Sequence, residues 1–162
     1  MKKRLAVFIM ILFSILITSC ATTPKVNEKD IEGYQLPVQP TDSTAVIYVV
    51  RPDKFAGKWL KYSLSMDIVE QVLPNASVVV FIVKPGEHTL VAKFENTNTI
   101  PFTAEAGQMY FYQVNAKTGW LNGGRVGVES LDGITGTYQV KRYYKEGEST
   151  VLDLNKAFSS PE

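Results

Sequence analysis

The chain carries few residues that could do chemistry, and its 162 residues include one Cys and one His. Cys20 follows an aliphatic residue and two small ones at positions 17–19. A Cys thiolate is a nucleophile, and small neighbours leave it open to a modifying enzyme. One Cys excludes an intramolecular disulfide, and one His leaves too few ligands for a zinc site. The composition therefore predicts no metal and no cofactor.

The single His, His88, directly follows a Pro-Gly pair at residues 85–86. A ring nitrogen at this place can bond a nearby carbonyl or carboxylate and hold the turn. A catalytic base would also need a nucleophile and an orienting acid, and no spacing in the sequence nominates either. The glycines at 123–124 lack the flanking residues of a nucleotide-binding loop. The sequence predicts no catalytic residue, and therefore a protein that is not an enzyme.

The first residues have the pattern of an export signal. Residues 2–4 are basic, residues 5–17 are apolar except for Ser14, and the chain then becomes small and polar. This order of charged, apolar and small segments is typical of a secretory signal peptide. The apolar run is shorter than the roughly 20 residues of a membrane-spanning helix. Residues 1–19 are therefore predicted to be a removable signal peptide.

Residues 17–20, with the sequence ITSC, resemble the bacterial lipobox. The resemblance implies a lipoprotein: cleavage before Cys20, a diacylglyceryl group on its sulfur and a fatty acid such as palmitate on its amine. The lipid bilayer is then the partner of Cys20. Ala21 is not the Asp that, in enteric bacteria, resembles an inner-membrane retention signal. The expected location is the cell envelope, at the outer membrane and facing the periplasm.

The rest of the chain has the composition of one folded domain. The whole chain of 162 residues is 45% apolar, with eight Tyr and eight Phe, and its 17 basic and 16 acidic side chains give no basic field for nucleic acid. Residues 20–43 are rich in Thr, Pro and Ser and are predicted to be a flexible tether, although Tyr34 and Leu36 could pack onto the domain. Residues 44–156 are the predicted domain, and residues 157–162 a frayed tail.

Three segments have the patterns of β-strands. Residues 45–50 are apolar on both faces, residues 62–68 alternate between apolar and polar, and residues 78–83 are the most β-prone stretch of the chain. Residues 134–145 fit both helical and alternating spacing, and we favour a short helix. The predicted domain is therefore mainly β, with one short C-terminal helix.

The turns complete the predicted architecture. Pro85 and Gly86 suit a type II turn, which is expected to join residues 78–83 and 88–94 as a hairpin. Pro101 cannot donate a ladder hydrogen bond, which predicts an edge strand or a bulge there. Strands at short, regular spacing predict a single antiparallel β-sandwich.

Three short motifs occur in a characteristic order. They are YVVRP at residues 48–52, VKPGEH at 83–88 and AGQMYFY at 106–112. Their succession resembles that of the DUF2846 family of small bacterial lipoproteins, over about residues 44–135. The family is uncharacterised, so the resemblance implies a lipoprotein and assigns no catalytic residue.

The candidate ligand or partner surface consists of Arg51 and three aromatic residues, Trp59, Trp120 and Tyr143. Arg51 could bind a ligand carboxylate, but a pair with an internal acid such as Glu87 or Glu105 is the favoured expectation. Exposed aromatic rings stack on sugars and anchor protein interfaces, whereas most aromatic residues fill the core. The lysines between these residues, at 54, 58 and 61, are predicted to form a solvated loop face.

Three functions fit these features. The first is a non-enzymatic envelope lipoprotein whose β-sandwich serves protein interaction or envelope structure. The second is a binding module for glycan, peptidoglycan or a small ligand, using the loop that contains Trp120. The third is an enzyme, which the missing catalytic constellations disfavour.

Overall fold

The computed structural model describes residues 25–55, 58–118 and 124–157. In this part of the chain nine strands and three short helical segments are present. The strands are β1 (Ala45–Arg51), β2 (Tyr62–Met66), β3 (Val69–Leu73), β4 (Ser77–Val83), β5 (Gly86–Lys93), β6 (Thr97–Ala104), β7 (Met109–Thr118), β8 (Gly124–Leu131) and β9 (Thr150–Asp153). The helices are α1 (Gly133–Tyr143) and α2 (Leu154–Ala157), with a 3₁₀ turn at Glu28–Asp30.

The strands form a five-stranded sheet, in the order β8-β7-β1-β4-β9, and a four-stranded sheet, in the order β3-β2-β5-β6. The predicted β-sandwich with a short helix is confirmed. Only the second sheet is antiparallel throughout, because in the first sheet β1 is parallel to β7 and β4 is parallel to β9. The expectation of a wholly antiparallel sandwich was therefore wrong for these two pairs. The helix α1 connects β8 to β9, which run in the same direction, and such a crossover is what parallel strands require.

Strand β1 lies at the centre of the first sheet and is buried on both faces, as its sequence predicted. Ala45, Ile47 and Val49 belong to the core between the two sheets. The alternate residues Val46, Tyr48 and Val50 form a second cluster on the outer face of the same sheet, together with Val140 of α1. Because α1 covers this outer face, both sides of β1 are removed from water.

The predicted hairpin at residues 84–87 is not present, because β4 and β5 lie in different sheets. Strand β4 is apolar on both faces and pairs with β1, where α1 and the core cover both sides. Strand β5 has exposed positions and pairs with β2 and β6. The Pro-Gly segment is therefore a corner that takes the chain from one sheet to the other. Pro101 lies in β6, an edge strand, as predicted.

Part of the segment predicted to be a tether contacts the domain. Leu36 and Val38 pack against the outer-face cluster. The hydroxyl of Tyr48 donates to the Val38 carbonyl at 2.6 Å and accepts from the Val38 N–H at 2.9 Å. Burial raises the pKa of Tyr48 to about 12, although its hydrogen bond to Val38 acts in the opposite direction. The domain therefore includes residues that precede position 44.

The helix expected near residues 134–145 is confirmed as α1. Asp132 caps its first turn, since its carboxylate accepts from the backbone N–H groups of Ile134 at 3.0 Å and Thr135 at 2.9 Å. Gly136 lies against the ring of Phe111, where a Cβ atom would collide with the ring. A glycine at this position therefore lets α1 pack closely on the sheet.

We expect the helix cap to give the protein a pH-dependent gain in stability over the variant Asp132→Asn. The backbone N–H and the hydroxyl of Thr135 bond the Asp132 carboxylate and lower its pKa below 3.8. A lowered pKa in the folded state stabilises the fold above the ordinary pKa, and the gain is lost as the pH falls through the lowered value. The melting temperatures should therefore differ at pH 7 and converge as the pH falls from 3.8 through the lowered pKa.

Asp42→Asn is the matched control, because it removes one exposed acid of a turn that lies outside the helices. A difference in melting temperature between the protein and Asp132→Asn that stays constant as the pH falls below 3.8 would contradict the prediction.

Candidate functional site

The structure tests only some of the predicted site residues. Cys20, Trp120 and the signal peptide lie outside the described residues. Arg51 is buried, with 4% of its surface exposed, whereas Trp59 is 89% exposed. Tyr143 is half-buried and packs against the outer-face cluster. The structure therefore gives these residues three different environments, and only Trp59 is available to a partner.

Arg51 fixes the ends of the loop that follows β1. Its Nη1 donates to the Leu60 carbonyl at 2.7 Å and to the Leu73 carbonyl at 2.8 Å. Its guanidinium carbon lies 4.0 Å from the centroid of the Tyr62 ring, within the range of a cation–π contact. Burial lowers the pKa of the Arg51 guanidinium and raises that of the Tyr62 hydroxyl. Arg51 thus joins the end of the loop, the start of β2 and the end of β3.

The predicted pair between Arg51 and Glu87 or Glu105 is wrong. Arg51 is opposite Ser77 in the sheet, and Ala45, at the other end of β1, is opposite Val83. The two acids follow Val83 and Ala104, at that other end of the sandwich. Six residues of strand separate the two ends by about 20 Å, too far for an ion pair.

The loop of residues 52–61, called the aromatic loop below, exposes two large rings. Phe55 is 97% exposed and Trp59 is 89% exposed. The N–H of Lys58 donates to the Phe55 carbonyl at 3.3 Å. Lys58 Nζ lies 5.7 Å from the centroid of the Trp59 ring. Two exposed apolar rings on one short loop mark an interaction site more than a single ring does.

The base of the aromatic loop is bonded to the domain. The N–H of Lys54 donates to Asn75 Oδ1 at 3.3 Å, and Lys54 Nζ donates to Asn115 Oδ1 at 2.9 Å. Asn75 Nδ2 in turn donates to Asp53 Oδ1 at 2.5 Å. These bonds, with those of Arg51, hold the loop in one position while its rings face solvent.

Phe55 was not among the sequence candidates. Its neighbours Pro52 and Gly57 favour a loop, and lysines occur on both sides of it, so an aromatic residue there could have been recognised as exposed. The three lysines of the loop are exposed, in agreement with the predicted solvated face. Core packing, the favoured expectation for an aromatic residue, was wrong for Trp59, which is exposed.

His88 binds two acceptors, as its position after the Pro-Gly pair predicted. Its Nδ1 lies 2.7 Å from Asp67 Oδ2, and its Nε2 lies 2.8 Å from the Lys84 carbonyl. Asp67 Oδ1 also accepts from the N–H of Thr89 at 2.8 Å. Each ring nitrogen therefore faces an oxygen of the protein within hydrogen-bond distance. His88 therefore ties the corner between the sheets to the β2–β3 turn.

Two further searches concern the described residues alone. Within residues 25–55, 58–118 and 124–157, no group of three or more His, Cys, Asp or Glu side chains could hold a metal ion. In the same part of the chain, no helix has both the length and the apolar character needed to cross a bilayer.

No protein-family model, curated protein or solved structure matches the chain.

Proposed function

We propose that the protein is a lipid-anchored, non-enzymatic protein of the cell envelope that contacts another envelope component through the aromatic loop. The observation that carries the proposal is the exposure of Phe55 and Trp59 on a loop whose base Arg51 holds. Burying a large apolar side chain gains about 1.5–3 kcal/mol, which a partner covering these rings would recover. A loop already held in place loses less conformational entropy on binding.

The proposed anchor is supported by the sequence around Cys20. The only Cys of the chain follows an aliphatic and two small residues, directly after an export signal. Each buried methylene of an acyl chain contributes about 0.8 kcal/mol, and one chain alone binds a membrane only marginally. Two or three chains on Cys20 would make release very slow. The residue after Cys20 is Ala21 and not the Asp that resembles an inner-membrane retention signal. We therefore propose a location at the outer membrane, facing the periplasm.

Membership of the DUF2846 family stays a hypothesis, supported by its motifs. The first motif ends β1 and the third begins β7, and these strands are parallel neighbours in which Tyr48 is opposite Phe111. The two rings stack with centroids 5.5 Å apart. Motifs 55 or more residues apart along the chain thus contribute to one packed cluster, which gives a structural reason for their joint occurrence.

An envelope protein is the first candidate partner of the loop, and glycan or peptidoglycan is the alternative. Trp59 favours a glycan partner, because an exposed Trp ring can stack on a sugar face. Phe55 and the lysines beside it suit a protein surface, or another surface with apolar and acidic groups, equally well.

A photoreactive residue at position 55, introduced in the native envelope, tests the proposed contact. We expect crosslinked products that disappear when Trp59→Ser is added, because one partner would cover both Phe55 and Trp59. A photoreactive residue at Ile68 is the matched control, since Ile68 is 79% exposed but lies in the β2–β3 turn, at the other end of the sandwich. The same products from both positions, or none from position 55, would contradict the contact.

A further inference from the structure

We infer that the aromatic loop is a second membrane contact, in which Phe55 and Trp59 enter the headgroup region of an anionic bilayer and the surrounding lysines bind its surface. The inference goes beyond the proposed function, because a bilayer takes the place of a protein or a glycan as the partner of the loop, and it rests on the proposed lipid anchor at Cys20. Two features of the described residues carry it: the exposed rings and the charge around them.

The two rings have the character of interfacial membrane anchors. Trp is enriched at membrane–water interfaces because its ring is apolar and its N–H is polar. Phe55 lies four positions before Trp59 in the chain, is 97% exposed and adds a fully apolar ring. Binding at an interface strengthens with the apolar area buried and with attraction to anionic lipids. The loop offers apolar area that is already outside the domain.

The charges around the loop are mainly basic. Leu60, Phe94 and Gly124 meet there, since a Cβ on Gly124 would lie 2.7 Å from the Phe94 ring and 3.3 Å from Leu60. This contact brings the end of β5 and the start of β8 beside the aromatic loop. The exposed basic residues of these three segments are Lys54, Lys58, Lys61, Lys93 and Arg125, and the exposed acids are Asp53 and Glu95. One more exposed acid, Glu129 of β8, accepts from Asn115, which also bonds Lys54.

The opposite end of the sandwich is acidic, which favours one orientation at an anionic surface. The exposed acids of its turns and strand ends include Asp42, Asp67, Glu87, Glu105 and Asp132, and outnumber its exposed lysines, which include Lys84 and Lys156. Attraction at one end and repulsion at the other would turn the aromatic loop towards the lipid. Each lysine near an anionic surface raises binding about fivefold. A glycan strand would have no comparable use for this charge difference.

Vesicle binding by a chain that begins at Ala21 tests the inference without the lipid anchor. This chain contains both hydrophobic clusters, whose members lie between Leu36 and Leu154, so it keeps the residues that form the fold. With Trp120→Phe in place, Trp59 is its only Trp. We expect a blue shift of Trp59 emission and cosedimentation with phosphatidylcholine vesicles that contain phosphatidylglycerol.

Variants of the loop show which groups bind. We expect Phe55→Ser with Trp59→Ser to weaken cosedimentation with the anionic vesicles at least tenfold, and Lys58→Gln with Lys61→Gln to weaken it about 25-fold. Lys54 is left unchanged because it bonds Asn115. The matched control is Ile68→Ser, which removes an exposed apolar residue at the other end and should leave binding unchanged. Melting temperatures equal to that of the parent chain exclude unfolding.

Absence of binding to the anionic vesicles, or binding that the loop variants leave unchanged, would overturn the inference. Crosslinking from position 55 to a protein or to peptidoglycan alone would also overturn it. Because the vesicle experiment uses a chain without Cys20, its failure leaves the proposed anchor standing. Conversely, failure of lipid attachment to Cys20 in cells leaves the vesicle result unaffected.

Discussion

Replacing Arg51 by Met is expected to lower the free energy of unfolding by about 2–5 kcal/mol. Met keeps most of the side-chain volume. It lacks the Nη1 group of Arg51, which donates to the carbonyls of both Leu60 and Leu73. Each buried acceptor left without a partner costs about 1–3 kcal/mol. The cation–π contact with the Tyr62 ring is lost as well. Urea unfolding followed by circular dichroism measures the difference.

The same substitution should loosen the aromatic loop. Arg51 bonds the carbonyl of Leu60, at the end of the loop, so without it we expect faster tryptic cleavage after Lys54 and Lys58. Lys61→Met is the matched control, because it removes an exposed basic residue next to Leu60 and should change the free energy of unfolding by less than about 0.5 kcal/mol. Equal stability of Arg51→Met and the parent protein would show that the two carbonyls do not depend on Arg51.

The strands were predictable because burial leaves a local pattern. Residues 45–50 and 78–83 are apolar at successive positions, and the structure buries both faces of β1 and most of β4. The alternation in residues 62–68 predicted one buried face, which β2 has from Tyr62 to Met66, but Ile68 lies in the turn after β2 and is exposed. These patterns specify which faces meet water, and they do so within a few residues.

The pairing of the strands was less predictable because it depends on distant residues. A Pro-Gly segment between two strands suits a hairpin and equally suits a corner between two sheets. The choice is made by β1, which pairs with β4 and leaves β5 to pair with β2. The parallel pairing of β1 with β7 joins residues about 60 positions apart, and no local pattern encodes it.

The candidate site shows the same division between local and distant causes. The position of Arg51 at the end of a buried strand indicated a buried charge, but its acceptors are carbonyls of residues 9 and 22 positions away. Trp59 and Tyr143 are both aromatic and near lysines or arginines, yet one is exposed and the other packs on the outer-face cluster. Side-chain type alone does not distinguish them, because the path of the backbone decides which ring is covered.

Replacing Cys20 by Ser is expected to abolish lipid attachment and to leave an uncleaved precursor. The sulfur of Cys20 is the proposed acceptor of the diacylglyceryl group, and a thiolate is the nucleophile that this transfer needs. A serine hydroxyl has the same position but no comparable ionised form near neutral pH. Labelled palmitate should therefore appear in the parent protein and not in Cys20→Ser, and the variant should migrate as the longer chain that retains residues 1–19.

Ser19→Ala is the matched control, because it keeps a small residue before Cys20 and should be labelled and cleaved like the parent protein. The palmitate label decides the outcome, since an uncleaved precursor that keeps its apolar residues 5–17 would still fractionate with membranes. A labelled, mature-sized product from Cys20→Ser would contradict the proposed anchor. The melting temperature of Cys20→Ser should equal that of the parent protein, because Cys20 precedes every residue of the two hydrophobic clusters. Any loss of membrane binding would then be due to the missing lipid and not to unfolding.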